Sequence, residues 1–200
     1  MSMQNIDLSS FAPWFQWIVT TIVAIIAIFA GRMWERYDRR LKKDKELINN
    51  ILRLIPVGSD TYLFLQEHDF GIPFVLDPLK PLDELEHLLS QTSIFFLNKK
   101  LEKMRKELLQ AITDFQDFLA IKIFTHRVTD FYGLIQPDET IVSRVTLLRN
   151  QGTQLSDDDI RHLEKEIRTD YQQTIEKLGS MSRNICKKYD DLVSTSHRIL

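Results

Sequence analysis

The chain has 200 residues, 44% hydrophobic and 27% charged, with a formal net charge of −2 at neutral pH. That balance supplies no basic field for nucleic acid, and the single cysteine, Cys186, excludes an internal disulfide framework and any multi-cysteine metal site. Six glycines and six prolines among so many charged residues favour long helices over short strands joined by turns.

The first element is an uncharged run of 24 residues, 8–31, rich in Ile, Val and Phe. As a helix it reaches roughly 36 Å, enough to cross a hydrocarbon core of about 30 Å. No Lys or Arg precedes Arg32, and the run is longer than the core of a secretory signal, so it reads as a retained anchor. The expected organisation is an extracytoplasmic tail at 1–10, a transmembrane helix at 11–31, a juxtamembrane helical stalk at 32–55 and a cytosolic α-helical domain at 56–200. Residues 32–45 hold seven basic side chains, Arg32, Arg36, Arg39, Arg40, Lys42, Lys43 and Lys45, among the acids Glu35, Asp38 and Asp44. Basic residues flanking a span stay on the cytoplasmic side, so the N-terminus is expected outside and the C-terminus inside. Trp14 and Trp17 then mark the outer interface, Trp34 and Tyr37 the inner one. Thr20, Ala24, Ala27 and Gly31 share one face, and the small-xxx-small spacing of Ala27 and Gly31 suits a homodimer.

Beyond the anchor no Pro or Gly interrupts residues 32–55, so the stalk is expected to continue the helix until Pro56 and Gly58 stop it. Residues 59–97 read as an irregular segment. Within it, Thr61–Leu65 suits either a short helix capped by Ser59 or Asp60, or a strand. His68, Asp69, Phe70 and Gly71 read as a turn in which Asp69 caps backbone N–H groups and Gly71 is free to take a positive φ. Lying between Phe64 and Phe74, this turn is the candidate binding site. Pro81 opens a helix over about 82–90.

A helix is expected over about 97–124, with Leu101, Met104, Leu108, Ile112, Phe115 and Leu119 as its apolar stripe. Residues 125–153 lack a clean period and have room for a short helix around 139–148. Ser156, followed by three aspartates, starts a long final helix that reaches about Ser196. Two long amphipathic helices joined by a loop pack antiparallel, with the stalk or the 82–90 helix covering their remaining apolar edge. The fold class is therefore all-α: a transmembrane helix followed by a cytosolic antiparallel helical bundle.

Chemistry-bearing motifs are sparse. Asp69-Phe70-Gly71 matches a kinase tripeptide, but the Gly-rich loop, strand lysine and H-R-D loop that a kinase needs are missing. The five histidines, His68, His87, His126, His162 and His197, include no pair at helical ligand spacing. Cys186 reads as an inert helix residue. Neither a P-loop, G-x-S-x-G, G-x-G-x-x-G nor H-E-x-x-H is present, so no cofactor and no enzymatic activity are expected.

His68-Asp69-Phe70-Gly71, Pro78-Leu79, Pro81-Leu82, Lys100-Leu101-Glu102 and Tyr189-Asp190-Asp191-Leu192-Val193 together resemble a group of uncharacterised bacterial proteins with one N-terminal span and a helical cytosolic part. The resemblance covers about residues 50–193. It implies a bacterial inner-membrane setting and adds no catalytic residues. The expected function is a membrane-anchored interaction or sensing module whose partners are the lipid bilayer, a second copy and an unidentified cytosolic or membrane protein. A membrane-acting effector of toxin or defence type is the first alternative, and an enzyme with a site near His68 and Asp69 the second.

Overall fold

The computed structural model describes residues 13–125 and 132–200, which hold six α-helices and one two-stranded hairpin. The protein is all-α in class, and it divides into two compact units, Met1–Lys43 and Asp44–Leu200. The expected tail at 1–10 and the side chain of Trp14 lie outside the described residues.

α1 runs from Pro13 to Leu54 without a break, as the absence of Pro and Gly after Gly31 requires. Its residues up to Lys43 make up the described part of the first unit. From Asp44 onward α1 belongs to the second unit, where Leu47, Ile48 and Ile51 are buried together with Ile55. Pro56 and Gly58 end it, Gly58 taking a φ of 81° that only glycine adopts cheaply.

α2, Asp60–Glu67, settles the ambiguity at Thr61–Leu65 in favour of helix. Ser59 caps it by accepting the Tyr62 N–H. α2 packs on the last helix through polar ties as well as apolar ones. Ser182 Oγ donates to Leu65 O at 2.6 Å and Tyr62 OH donates to Asp190 at 2.9 Å, while Tyr189 OH ties the last helix to Ile55 O just after α1.

The segment expected to be irregular is thus half helical. Only 68–76 and 91–98 are extended or turned. Between them lie a 3-10 turn, Asp77–Leu79, and α3, Lys80–Ser90, with Pro81 in its first turn. α3 buries Leu82, Leu85 and Leu89.

α4, Lys99–Lys122, buries Leu101, Leu108, Ile112, Phe115 and Leu119, the expected stripe with one exchange. Met104 is only half-buried, and the next residue, Arg105, is buried. Arg105 grips Glu102 at 2.8 and 2.9 Å and donates to Leu89 O at the end of α3. One guanidinium therefore satisfies a carboxylate and a helix-terminal carbonyl at once, which is what makes its burial tolerable. Burial pushes the Glu102 carboxyl upward. The Arg105 hydrogen bond, the Phe96 N–H and the basic charges of Arg105 and Lys106 outweigh this and hold it below the usual glutamate value.

The described residues of 125–153 hold the end of one strand, a second strand and a helix. β1, Ile123–Thr125, pairs antiparallel with β2, Tyr132–Leu134, and Phe74 adds an antiparallel bridge to Tyr132 through two backbone bonds of 2.7 and 2.8 Å. Neither strand is visible as a period, because three residues are too few to show alternation. α5, Pro137–Asn150, is the expected short helix, extended at both ends.

α6, Asp157–Ile199, is 43 residues long and starts in a full capping box between Ser156 and Asp159. It runs antiparallel to α4: Glu107 meets Lys188, Phe118 meets Lys177 and Lys122 meets Asp170, so the numbers fall on one helix as they rise on the other. Buried residues on α6 begin only at Thr174. Its earlier turns are half-buried at best, through Ile160, Leu163 and Ile167.

Candidate functional site

One helix among the described residues, α1, is long and apolar enough to cross a membrane. Its apolar side chains are exposed on every face: Ile22, Val23, Ile25, Ile26, Ile28 and Phe29 all show about half or more of their surface, Phe29 as much as 63%. The polar groups of the segment are partly self-satisfied, since Thr21 Oγ1 donates to Trp17 O at 2.8 Å one turn back. Thr20, Ala24, Ala27 and Gly31 are exposed along one face, as their spacing predicts, and no atom lies within 4 Å of where a Gly31 Cβ would stand. Trp17 and Trp34 are both about three-quarters exposed, and Trp34 lies beside Tyr37, ring centres 6.4 Å apart.

The charges that follow are not equivalent. Glu35 binds Arg39 at 2.6 Å and Asp38 binds Lys42 at 2.7 Å, both one turn apart on exposed helix. Asp44 is 3% exposed and is not part of the surface charge pattern. Its Oδ1 accepts the Leu97 N–H at 2.7 Å and its Oδ2 the Asn98 N–H at 2.9 Å, fixing the approach to α4. Asn98 then caps α4 through the Lys100 and Leu101 N–H groups. Arg32, Arg36, Arg40, Lys43 and Lys45 have no ion-pair partner among the described residues.

The His68–Gly71 turn forms as expected. Asp69 Oδ1 accepts the Gly71 N–H at 2.9 Å, and Asp69 O accepts the Ile72 N–H at 3.1 Å. Gly71 does not use a positive φ. Space there is tight instead: a Cβ would come to 3.1 Å from both Asp69 Oδ1 and Ile175 Cδ1, so those side chains would have to shift. Phe70 is buried, 5.9 Å from Phe115, and helps to seal the core. His68 stacks on Phe64 at 4.3 Å and meets the edges of Phe70 and Phe74 near 5 Å. Its Nε2 is buried with no hydrogen-bond partner. Burial lowers its pKa below the ordinary 6.5, against the opposing Asp69 charge and a backbone hydrogen bond at Ile72. The ring therefore sits as the fourth member of an aromatic cluster, with the Asp69 carboxylate as its acidic neighbour. Among the described residues, no three His, Cys, Asp or Glu side chains converge on a common point there.

Two of the concavities elsewhere in the second unit have several apolar residues in their walls. A groove of about 620 Å³ between α3 and α4 has Leu79, Leu82, Phe115 and Leu119 in its walls and Asp83, Glu86 and Asp117 around them. Burial raises the Asp83 carboxyl above its usual value, against the hydrogen bond from Gln116 and with the charges of Glu86 and Glu84 adding to it. A smaller cleft of about 270 Å³ lies between α5 and α6 beside Tyr171. Neither was legible in the sequence, because each is formed by residues distant along the chain. Cys186 is buried and its thiol is pushed up to about 11, first by burial and then by Asp190, so it is poorly nucleophilic.

Comparison with protein-family models, with curated proteins and with solved structures finds no match for this chain.

Proposed function

We propose that the chain is a single-pass membrane protein that holds residues 44–200 at the cytosolic face as an interaction or sensing module. One observation carries this reading: the segment 18–31 carries no charge and is exposed on all sides. A helix apolar all round is stable only when something other than water surrounds it. The basic residues after Gly31 support the N-outside orientation, and the resemblance of the short motifs supports a bacterial inner membrane. The mechanism is concentration at a surface: anchoring raises the local concentration of the second unit, so weak contacts with a membrane or cytosolic partner become sufficient.

The test is extraction of membranes containing the full chain. The protein is expected in the pellet after an alkaline carbonate wash and in solution only after detergent. Release by carbonate would overturn the reading. Orientation is read with an impermeant maleimide. Because Cys186 is buried and poorly ionised, the probes are Ser2→Cys and, separately, Thr153→Cys on a Cys186→Ser background. Labelling of residue 2 alone in intact cells is expected, and labelling of residue 153 alone would invert the topology.

A further inference from the structure

The acids between Arg32 and Lys45 lower the net charge of that stretch on paper, yet none of them neutralises one face of α1. Glu35 and Asp38 are held by Arg39 and Lys42, and Asp44 is buried at the start of α4. Five basic residues of the stretch remain exposed and without ion-pair partners among the described residues; Lys45 lies on the far side of the helix, and the other four are Arg32, Arg36, Arg40 and Lys43. Their spacing of 4, 4 and 3 keeps them within an arc of about 80° on a helix of 3.6 residues per turn. Asp38 lies on the far side of the helix from the middle of that arc, and Glu35 lies about a quarter-turn from it. What a net charge describes as diluted is a continuous cationic strip, with its counter-charges turned elsewhere.

We propose that Arg32, Arg36, Arg40 and Lys43 form a binding strip for the headgroup phosphates of anionic phospholipids in the leaflet where the apolar segment ends. The proposal rests on the anchoring reading and adds a lipid class to it. The strip is continuous with the exposed apolar helix, beginning three residues after Phe29 and flanking Trp34 and Tyr37. Lys43 stands about 16 Å beyond Arg32 along the axis. A headgroup layer is about 5–7 Å deep, and the Debye length at physiological salt is about 8 Å. Arg32 and Arg36 therefore lie among the phosphates, Arg40 lies within the field of the anionic surface, and Lys43 lies at its edge. Three of the four groups are guanidinium, whose planar fork matches two phosphate oxygens at once. A zwitterionic headgroup offers the same phosphate but cancels it with its own cation, so the selectivity is for net anionic lipid.

The experiment uses the full chain reconstituted into nanodiscs of phosphatidylcholine mixed with phosphatidylglycerol. The preference for each lipid is read from the motionally restricted fraction of spin-labelled phosphatidylglycerol and phosphatidylcholine. The wild-type chain is expected to favour the anionic lipid. The variant R36Q/R40Q is expected to lower that preference by roughly fivefold or more, the factor expected for the loss of about one fully felt surface charge. The control R39Q/K42Q removes the same two charges from the paired residues and is expected to change it much less. Equal loss in the two variants would overturn the strip and leave only diffuse attraction. No anionic preference in the wild type would overturn it outright. Displacement of lipid by inorganic phosphate beyond that caused by chloride at equal ionic strength would assign the site to free phosphate instead. Failure of the wild-type chain to enter the bilayer would sink the anchoring reading itself, an outcome visible before any lipid preference is read.

Discussion

The Asp44 carboxylate accepts two backbone N–H groups from the strand-like approach to α4, with both oxygens used and almost no surface left. A buried donor deprived of its acceptor loses the full desolvation cost, about 1–3 kcal/mol. Asp44→Ala is therefore expected to destabilise the second unit by about 2–3 kcal/mol, and Asp44→Asn, which keeps one acceptor oxygen, by less. Chemical denaturation of the full chain in detergent, followed by circular dichroism, checks the order. Equal stability of all three proteins would show that the two bonds contribute nothing net. Part of this was legible in the sequence: Leu47, Ile48 and Ile51 follow Asp44 at three, four and seven residues, so it sits on a buried helix face. An acid on an apolar stripe signals a buried partner. What the sequence does not reveal is which partner, since the acceptor and its donors are 53 and 54 residues apart.

His68 makes a different residue-scale argument, because its charge is the variable. Enclosed by Phe64, Phe70 and Phe74, its imidazolium form is disfavoured, and its folded pKa lies below 6.5. Above 6.5 the ring is neutral in both folded and unfolded chains, and its contribution to stability is complete. As the pH falls through 6.5 the unfolded chain takes up the proton first, so stability declines until the folded value is passed. The wild-type melting temperature is expected to drop between neutral pH and about pH 5 more steeply than that of His68→Phe, which cannot titrate. Parallel pH profiles for the two proteins would exclude any linkage through this ring. The turn was readable from Asp69 and Gly71. The aromatic enclosure was readable only in part, since Phe64 and Phe74 flank the turn in sequence but Phe115 reaches it from another helix.

At the level of elements, legibility followed length. α4 and the deep half of α6 each repeat an apolar residue at three or four positions over several turns, and a long period averages out single exceptions such as Met104. The boundary of α6 was readable because its start is local chemistry: the Ser156 hydroxyl and the Asp159 carboxylate lie three residues apart and satisfy each other's backbone. What its uniform period concealed is that the helix has two halves. Ile160, Leu163 and Ile167 repeat as regularly as Leu178, Ile185 and Leu192, yet the first set is half-buried and the second is in the core. Periodicity reports which face is apolar; how much protein covers that face depends on the length of the neighbours. α4 reaches α6 only as far as the contact of Lys122 with Asp170, and before that point the shorter, less apolar α5 is the neighbour. The hairpin fails by the same logic from the other end. Its strands are three residues each, and their position is fixed by Phe74, a residue about 60 positions away from its bridge partner Tyr132.

For the molecule as a whole, the core cluster among the described residues begins at Leu47, and the division between the two units falls between Lys43 and Asp44. None of the buried residues of that cluster comes from the apolar segment of α1. On the proposed reading its exposed Ile, Val and Phe side chains meet a solvent other than water, whereas a core helix would be mostly covered by its own protein. The two possibilities differ in what deletion of residues 1–31 should do. If the segment were a core helix, its loss would remove buried area worth several kcal/mol, about 25 cal/mol per Å², and the remainder would unfold or aggregate. If it is an anchor, the shortened chain should leave the membrane fraction and remain folded. Its unfolding should be as cooperative as that of the full chain, with a midpoint shifted by no more than surface changes produce, about 0.5 kcal/mol. Fractionation by ultracentrifugation, followed by a denaturation curve on the soluble material, reads both quantities from one preparation. A shortened chain that is insoluble, or that has lost its unfolding transition, would show that residues 1–31 support the fold and would reassign the span to the protein interior.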